Sequence, residues 1–271
     1  MNFCKLIKSI ILGGSILALS IAYVGCSNES SESTLDKDTL IVGMDDAFAP
    51  MGFKDESGEI TGFDVDLAKE LGKRLNKEII FQPIDWTMKE SELKSGNIDL
   101  IWNGYTITEE RKNKVDFSVP YLKNKQVIVT LADSNINSKS DLANKKVGAQ
   151  SESSAVTAME KEEELYSSFN GGSAITFEDN NQALMDLEAG RIDAVVADEI
   201  LVRYYLSLKG EEKFIILDDN FGEEEYGVGI RKGDTEMVDD FNKAYKEMQE
   251  DGTLQEISEK WFNEDITIKS E

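Results

Sequence analysis

The sequence predicts an α/β protein of two lobes with mainly parallel sheets. Short β-prone runs alternate with segments whose apolar residues recur at helical spacing, the signature of strand–helix–strand units. The stretch "SGNIDLIWN" (95–103) is echoed by "AGRIDAVVA" (189–197), with Gly96 and Gly190 standing 94 residues apart, so one turn-into-strand unit occurs twice. A length of 271 residues, 40% hydrophobic and 8% aromatic, suffices either for one large domain or for two lobes, each with its own core.

The elements follow in order from Thr39. "TLIVGM" is a short apolar β-prone run and supplies the first strand. "FDVDLAKELGKRL" then sets Phe63, Leu67, Ala68, Leu71 and Leu75 on one face of a helix. "EIIFQPI", "IDLIWN" and "QVIVTL" read as three further strands. Residues 236–262 carry Val238, Phe241, Ala244, Tyr245 and Met248 on one face and predict a single closing amphipathic helix. The acidic run "EKEEE" (160–164) reads as a solvated helix surface.

Ahead of the folded part, Lys5 and Lys8 precede a charge-free run of sixteen residues, 10–25, ending in "YVGC". At ~1.5 Å per residue such a run falls short of the ~30 Å hydrocarbon core, so it reads as a signal peptide and not as a spanning helix. Gly25 followed by Cys26 resembles a bacterial lipoprotein processing site, which implies lipid on Cys26, although Tyr23 departs from the leucine usual there. "SNESSESTLDKD" (27–38) is polar and predicts a flexible tether. The expected organisation is therefore 1–25 signal peptide, 26–38 lipidated cysteine and tether, 39–127 plus 224–271 the first lobe, and 128–223 the second. The expected location is the extracytoplasmic face of the cell membrane.

Composition excludes several functions. With 53 acidic and 29 basic residues the net charge is −24, which repels phosphate backbones and argues against nucleic acid as a partner. Histidine is absent, which removes histidine-based acid–base catalysis, Ser-His-Asp triads and histidine-ligated metals together. The only cysteines are Cys4, inside the signal, and Cys26, so no disulfide is expected in the mature domain. No cofactor is expected.

In "GYTITEER" Thr108 is a good helix cap, and Glu109 and Glu110 suit the positive end of the helix dipole, but Arg111 opposes it. A bound carboxylate would resolve that conflict, since the guanidinium fork and the free amides of a helix start both favour an anion. An ordinary surface ion pair is the alternative. Asp198 ends the second echoed strand, where it can cap the following helix. In open α/β sheets ligands bind beyond the carboxyl ends of strands, so Arg111 and Asp198 can face one another across a cleft. That pairing offers a cation for the carboxylate of an α-amino acid and an anion for its ammonium.

The chain resembles the bacterial solute-binding proteins of family 3, the amino-acid receptors of ABC importers. The motifs "GFDVDLAKELGKRL", "AFAPMGF", "FQPIDW", "SGNIDLIWNGYTITEERKNKVDFSVPY" and "DLANKKVGAQSESS" stand in the family's order and spacing. The resemblance implies a type II periplasmic-binding-protein-like fold whose lobes are joined by two hinge strands, crossing near 126–129 and 224–228. It implies that Arg111 binds the ligand α-carboxylate, helped by Thr106, Ser153 and Ser154, and that Asp198 binds the α-ammonium with the Gly104 carbonyl. Phe48 and Trp86 match the aromatic positions that sandwich the side chain, where plain core packing is the alternative. Asp45 and Gln150 match positions that reach the ligand's distal end, and the negative charge of Glu152 with that of Asp45 favours a polar or cationic side chain. Glu152 stands where the family has glycine and would be strained if that turn needs a left-handed residue. The partners implied are a free amino acid, an ABC permease and its ATPase. The same fold also serves dehydratases of prephenate-like acids, which need a carboxylate clamp too.

Overall fold

The computed structural model describes residues 33–269. The chain runs β1 (Thr39–Met44), β2 (Ala47–Phe48), β3 (Gly52–Lys54), β4 (Ile60–Thr61), α1 (Phe63–Leu75), β5 (Glu78–Pro83), α2 (Lys89–Ser95) and β6 (Leu100–Ile101). It continues through α3 (Glu109–Lys112), β7 (Val115–Phe117), β8 (Leu122–Leu131), β9 (Val147–Gln150), α4 (Ser154–Glu160), α5 (Glu163–Ser168) and β10 (Ile175–Phe177). The last elements are α6 (Asn180–Glu188), β11 (Ala194–Asp198), α7 (Glu199–Lys209), β12 (Phe214–Tyr226), β13 (Gly229–Arg231), α8 (Thr235–Glu250) and α9 (Thr253–Phe262).

Two five-stranded sheets result, ordered β5-β1-β6-β13-β7 and β10-β9-β11-β8-β12. Each has a parallel centre, β5∥β1∥β6 in one and β10∥β9∥β11 in the other. Antiparallel strands returning from elsewhere in the chain complete both. Both echoed segments end in a central strand, β6 in the first sheet and β11 in the second. Helices cover both faces, which is why the central strands read as almost unbroken apolar runs. Leu40, Val42, Leu67, Leu71, Phe241 and Met248 are buried in one cluster, while Leu93, Ile98, Ile101 and Val115 fill the other face of the first sheet. Ile128, Leu142, Val147 and Met159 do the same for the second.

The first helix starts as the motif requires. Gly62 sits at φ 142°, where an added Cβ would lie 2.2 Å from the Met51 carbonyl oxygen, so the glycine of "GFDVDL" is set by backbone contact.

Three expectations change on contact with the structure. The closing helix is two helices, because Gly252, at φ 87°, takes the left-handed region and breaks the run between α8 and α9. The tether does not extend to Asp38: Thr34 is buried, its amide donates to Asp234 at 2.8 Å and its hydroxyl accepts from Arg231 at 2.9 Å. Lys37 then meets the buried Asp99 at 2.6 Å, and Leu35 packs against the core, so this segment is held by charged partners and by its one leucine. The first crossing also lies earlier than 126–129. Those residues of β8 pair with β11, whereas residues 122–125 pair with residues 223–226 of β12, Leu122 also bridging Thr267, and form the two-strand connection. Cys26 and the signal segment lie outside the described residues.

Candidate functional site

The site is built at the strand ends where the sheets face one another. From the first sheet come the residues after β1 and β6, and from the second the ends of β9 and β11 with the start of α4. Parallel strands place all of these termini on one side, as the topology of open α/β sheets dictates.

Arg111 is 7% exposed although it belongs to a four-residue helix, so its cation is inside the protein and not on the surface. Thr108 caps that helix, its hydroxyl accepting from the Arg111 amide at 3.1 Å. The guanidinium lies over the Tyr105 ring, 4.5 Å from its centroid. One nitrogen, Nη1, donates to the Thr106 carbonyl at 3.0 Å, and Nη2 reaches the Glu152 carbonyl at 3.3 Å. The nearest carboxylate, Glu90, stands 3.9 Å from Nε and accepts from the Tyr105 hydroxyl at 2.9 Å. The ion pair that Arg111 makes, with Glu90, is thus a long and largely buried one and not the surface pair considered from sequence.

Asp198 does not cap α7 with its side chain. Its Oδ1 instead accepts from Tyr226 Oη at 2.6 Å, Asn124 Nδ2 at 2.5 Å and Gln126 Nε2 at 3.0 Å. Burial, and next the charge of Glu224, push its carboxyl up to about 8.

Thr106 and Ser154 meet directly, their hydroxyl oxygens 3.0 Å apart, and Gln126 Nε2 donates to Ser154 Oγ at 3.1 Å. A continuous buried chain therefore links Arg111 to Asp198 through Thr106, Ser154 and Gln126. Ser153 is buried beside it, with a hydroxyl that has no partner. Asp45 and Gln150 are joined at 2.7 Å, and burial pushes the Asp45 carboxyl up to about 6.

The aromatic positions are buried as well. Phe48 lies against Gly104, where an added Cβ would sit 2.8 Å from Phe48 Cε1, and Gly104 itself holds φ 58°. Its amide donates to the buried Asp64 at 2.8 Å. Trp86 meets Tyr105 edge-on with centroids 5.9 Å apart, which joins it to the ring beneath Arg111.

Sequence reasoning passed over several members. Lys89 is buried, donates to the Trp86 carbonyl at 3.0 Å and to the Glu152 carbonyl at 3.2 Å, and burial with the Arg111 charge lowers its ammonium to about 8. Glu224 accepts at Oε1 from Thr106 (2.9 Å), Asn124 (2.7 Å) and Gln126 (2.7 Å). It stands in "GEEEY", an acidic run of the kind that reads as solvated surface. Glu152 does take the left-handed region, at φ 55°. Its side chain is exposed, and what it contributes to the site is the carbonyl shared by Lys89 and Arg111.

Comparison with known proteins fits this geometry. The model of the bacterial extracellular solute-binding proteins, family 3, matches residues 40–264. The chain belongs to that family. Among its relatives, the L-cystine-binding protein TcyJ of Escherichia coli is 34% identical over 273 residues, covering 98% of this chain and 100% of TcyJ. The arginine-binding extracellular protein ArtP of Bacillus subtilis is 35% identical over 257 residues, 93% of this chain and 96% of ArtP. An ABC uptake transporter substrate-binding protein from Streptococcus pneumoniae, solved with bound histidine, is 40% identical, with a TM-score of 0.84 over 87% of this chain and 96% of that one. The two-lobe type II fold is the family's architecture. Among the described residues no helix is long and apolar enough to cross a membrane.

Proposed function

We propose that this family 3 protein is the extracytoplasmic receptor of an ABC importer, which takes one free amino acid between its lobes and delivers it to a membrane permease and its ATPase. The observation that carries the reading is the buried chain from Arg111 through Thr106, Ser154 and Gln126 to Asp198. It brings a cation and an acid together in one place, with surplus hydrogen-bonding groups and no histidine or cysteine nucleophile beside them.

In this reading Arg111 takes the α-carboxylate, with Thr106, Ser153 and Ser154 as further donors, and Asp198 takes the α-ammonium together with the Gly104 carbonyl. Phe48 and Trp86 flank the side chain. Asp45 and Gln150 meet its far end and suit a polar or cationic group. Only a closed arrangement lets both charged ends be held at once, so ligand selects closure, which the permease reads. Cys26 carries the lipid that keeps the receptor at the membrane.

A thermal-shift screen of the twenty amino acids with cystine and ornithine tests this. The expected result is a raised unfolding midpoint for a small set of L-amino acids. No shift by any of them, combined with conversion of prephenate to phenylpyruvate, would instead make the protein a dehydratase.

A further inference from the structure

Asp198 does not stand alone at the end of β11. Asn124 Nδ2 donates to Asp198 Oδ1 at 2.5 Å and to Glu224 Oε1 at 2.7 Å. Gln126 Nε2 does the same, at 3.0 Å and 2.7 Å. Two carboxylates from different elements, β11 and β12, are thus pinned against the same two amide nitrogens. The acceptors in this cluster outnumber its donors: Asn124 Oδ1 and Gln126 Oε1 are buried without any partner. Flipping either amide would turn a carbonyl oxygen toward the carboxylates, so the orientation is dictated by them. Both amide side chains belong to residues under 5% exposed, Asn124 at 4% and Gln126 at 1%. A cluster with two acids and two idle carbonyl oxygens calls for a cation rich in N–H donors, and an ammonium brings three.

Of the other charged groups nearby, Lys112 holds Glu109, and Lys123, which lines the same cavity as Glu224, is exposed and bonded to neither acid. Lys125, next along β8, turns to Glu223 at 4.0 Å. Glu199, which opens α7, holds Arg203. Arg111 on α3 spends its guanidinium on the Thr106 and Glu152 carbonyls. Tyr226 on β12 donates its hydroxyl to Asp198, and Ser154 on α4 lies 3.4 Å from Glu224 Oε1. No cation is bonded to either acid among the described residues.

We infer that Asp198 and Glu224 together form the ammonium seat, that Asp198 keeps its proton while the seat is empty, and that an arriving ammonium sends this proton to solvent. Like charges pressed together in a site without a counter-ion keep one proton between them, and a cation placed there removes the need for it. The raised carboxyl of Asp198, at about 8, agrees with an empty seat that is protonated at neutral pH. The inference rests on the reading of Asp198 as the ammonium acceptor. It adds Glu224 as a second acid at that seat, and makes binding strength depend on pH.

The sign follows from linkage. Burial and the Glu224 charge raise the Asp198 carboxyl, so the empty seat carries a proton that the bound form lacks; affinity rises with pH by up to ~10-fold per unit and levels off once the empty seat is ionised. The test is titration calorimetry with L-arginine, L-histidine, L-glutamine and L-cystine from pH 6 to pH 9, each in two buffers of different ionisation enthalpy, which counts protons. The expected result is release approaching one proton per ligand at pH 7 that fades toward pH 9. Glu224→Gln should move the midpoint of that release down by one pH unit or more, because a neutral amide no longer disfavours the Asp198 charge. Binding with no proton released by the unsubstituted protein would overturn the inference while leaving the receptor reading intact. An unmoved midpoint in a folded Glu224→Gln protein would overturn the part assigned to Glu224. Failure of every probe to bind would overturn the receptor reading and this inference with it.

Discussion

Gln150 Nε2 lies 2.7 Å from Asp45 Oδ2, so the end of a strand in the second sheet holds the carboxylate that follows the opening strand of the first. Gln150 is fixed in turn, since its Oε1 accepts from Asn180 at 3.0 Å. Burial raises Asp45 to about 6, and the hydrogen bonds from Ala47 and Gln150 work against that rise. Replacing Gln150 by leucine strips the buried carboxylate of its side-chain donor, a loss of ~1–3 kcal/mol when the group is charged. At pH 5 Asp45 is largely neutral and the loss is smaller. The unfolding midpoint of Gln150→Leu, relative to the parent, should therefore fall more at pH 8 than at pH 5. Equal losses at both pH values would show that the pair is not charged.

Arg111 meets two carbonyl oxygens and an aromatic ring, with its nearest acid beyond hydrogen-bond reach at 3.9 Å. A cation so placed still has attraction to offer an incoming carboxylate. Arg111→Ala should weaken amino-acid binding by ~1.5–3 kcal/mol, or roughly 10-fold to 150-fold in Kd. Arg111→Lys should recover only part of that, since a point charge cannot grip a carboxylate with two parallel bonds. Titration calorimetry on the two variants, with circular dichroism to confirm folding, decides it, and unchanged affinity removes Arg111 from the site.

What was legible in the sequence was whatever periodicity, turns and long motifs encode. The alternation of Leu40 and Val42 with the helical spacing of Leu67 and Leu71 announced β1 and α1, and the echo around Gly96 and Gly190 announced a central strand in each sheet. Arg111 stood out because it violates a helix-dipole preference. Glu224 and Lys89 could not stand out in the same way. An acid inside "GEEEY" and a lysine inside "WTMKES" look like surface charge, and only the long β8–β12 pairing and the turn after β5 carry them indoors. Local patterns report local geometry, and these two residues owe their roles to distant contacts, Lys89 to Glu152 across 63 residues of chain and Glu224 to Thr106 across 118. The break at Gly252 was visible as a residue type, but a lone glycine in a helical pattern does not say whether the helix bends, ends or continues.

Glu152 is the one positive-φ residue among those described that is neither glycine nor asparagine. Holding an L side chain in the left-handed region costs roughly 1–2 kcal/mol, and the turn keeps it because its carbonyl serves Lys89 and Arg111 together. Glu152→Gly relieves the strain while adding freedom to the unfolded chain, which offsets the gain by about 0.4–1 kcal/mol. The variant should be at least as stable as the parent. Glu152→Val, with a branched side chain at the same φ, should lose about 1 kcal/mol or more. Urea unfolding of both variants measures this. A glycine variant clearly weaker than the parent would mean that the glutamate side chain itself supports the fold.

Stability of the ligand-free protein should fall as pH rises from 5 to about 7.5, above which Lys89, its ammonium lowered to about 8 by burial, works in the opposite direction. Three buried acids hold their protons far above the usual carboxylate range: Asp45 to about 6, Asp64 to about 7 and Asp198 to about 8, each chiefly through burial. In the unfolded chain all three ionise near pH 4. The folded state therefore binds more protons between those limits, and the stability they contribute, fully present below pH 4, is lost as pH climbs through 6, 7 and 8. Asp64 isolates the effect, since it lies outside the proposed ligand contacts. Its Oδ2 accepts from the Gly104 amide at 2.8 Å and the Tyr121 hydroxyl at 2.9 Å, and its Oδ1 is buried without a partner. An asparagine can keep its carbonyl oxygen where those two bonds end and carries no charge to bury. Asp64→Asn should match the parent near pH 5 and exceed it at pH 8, with a shallower slope of unfolding midpoint against pH between them. A variant that falls below the parent by the same amount at every pH would show that Asp64 is ionised in the folded protein, held as a charge by its two donors.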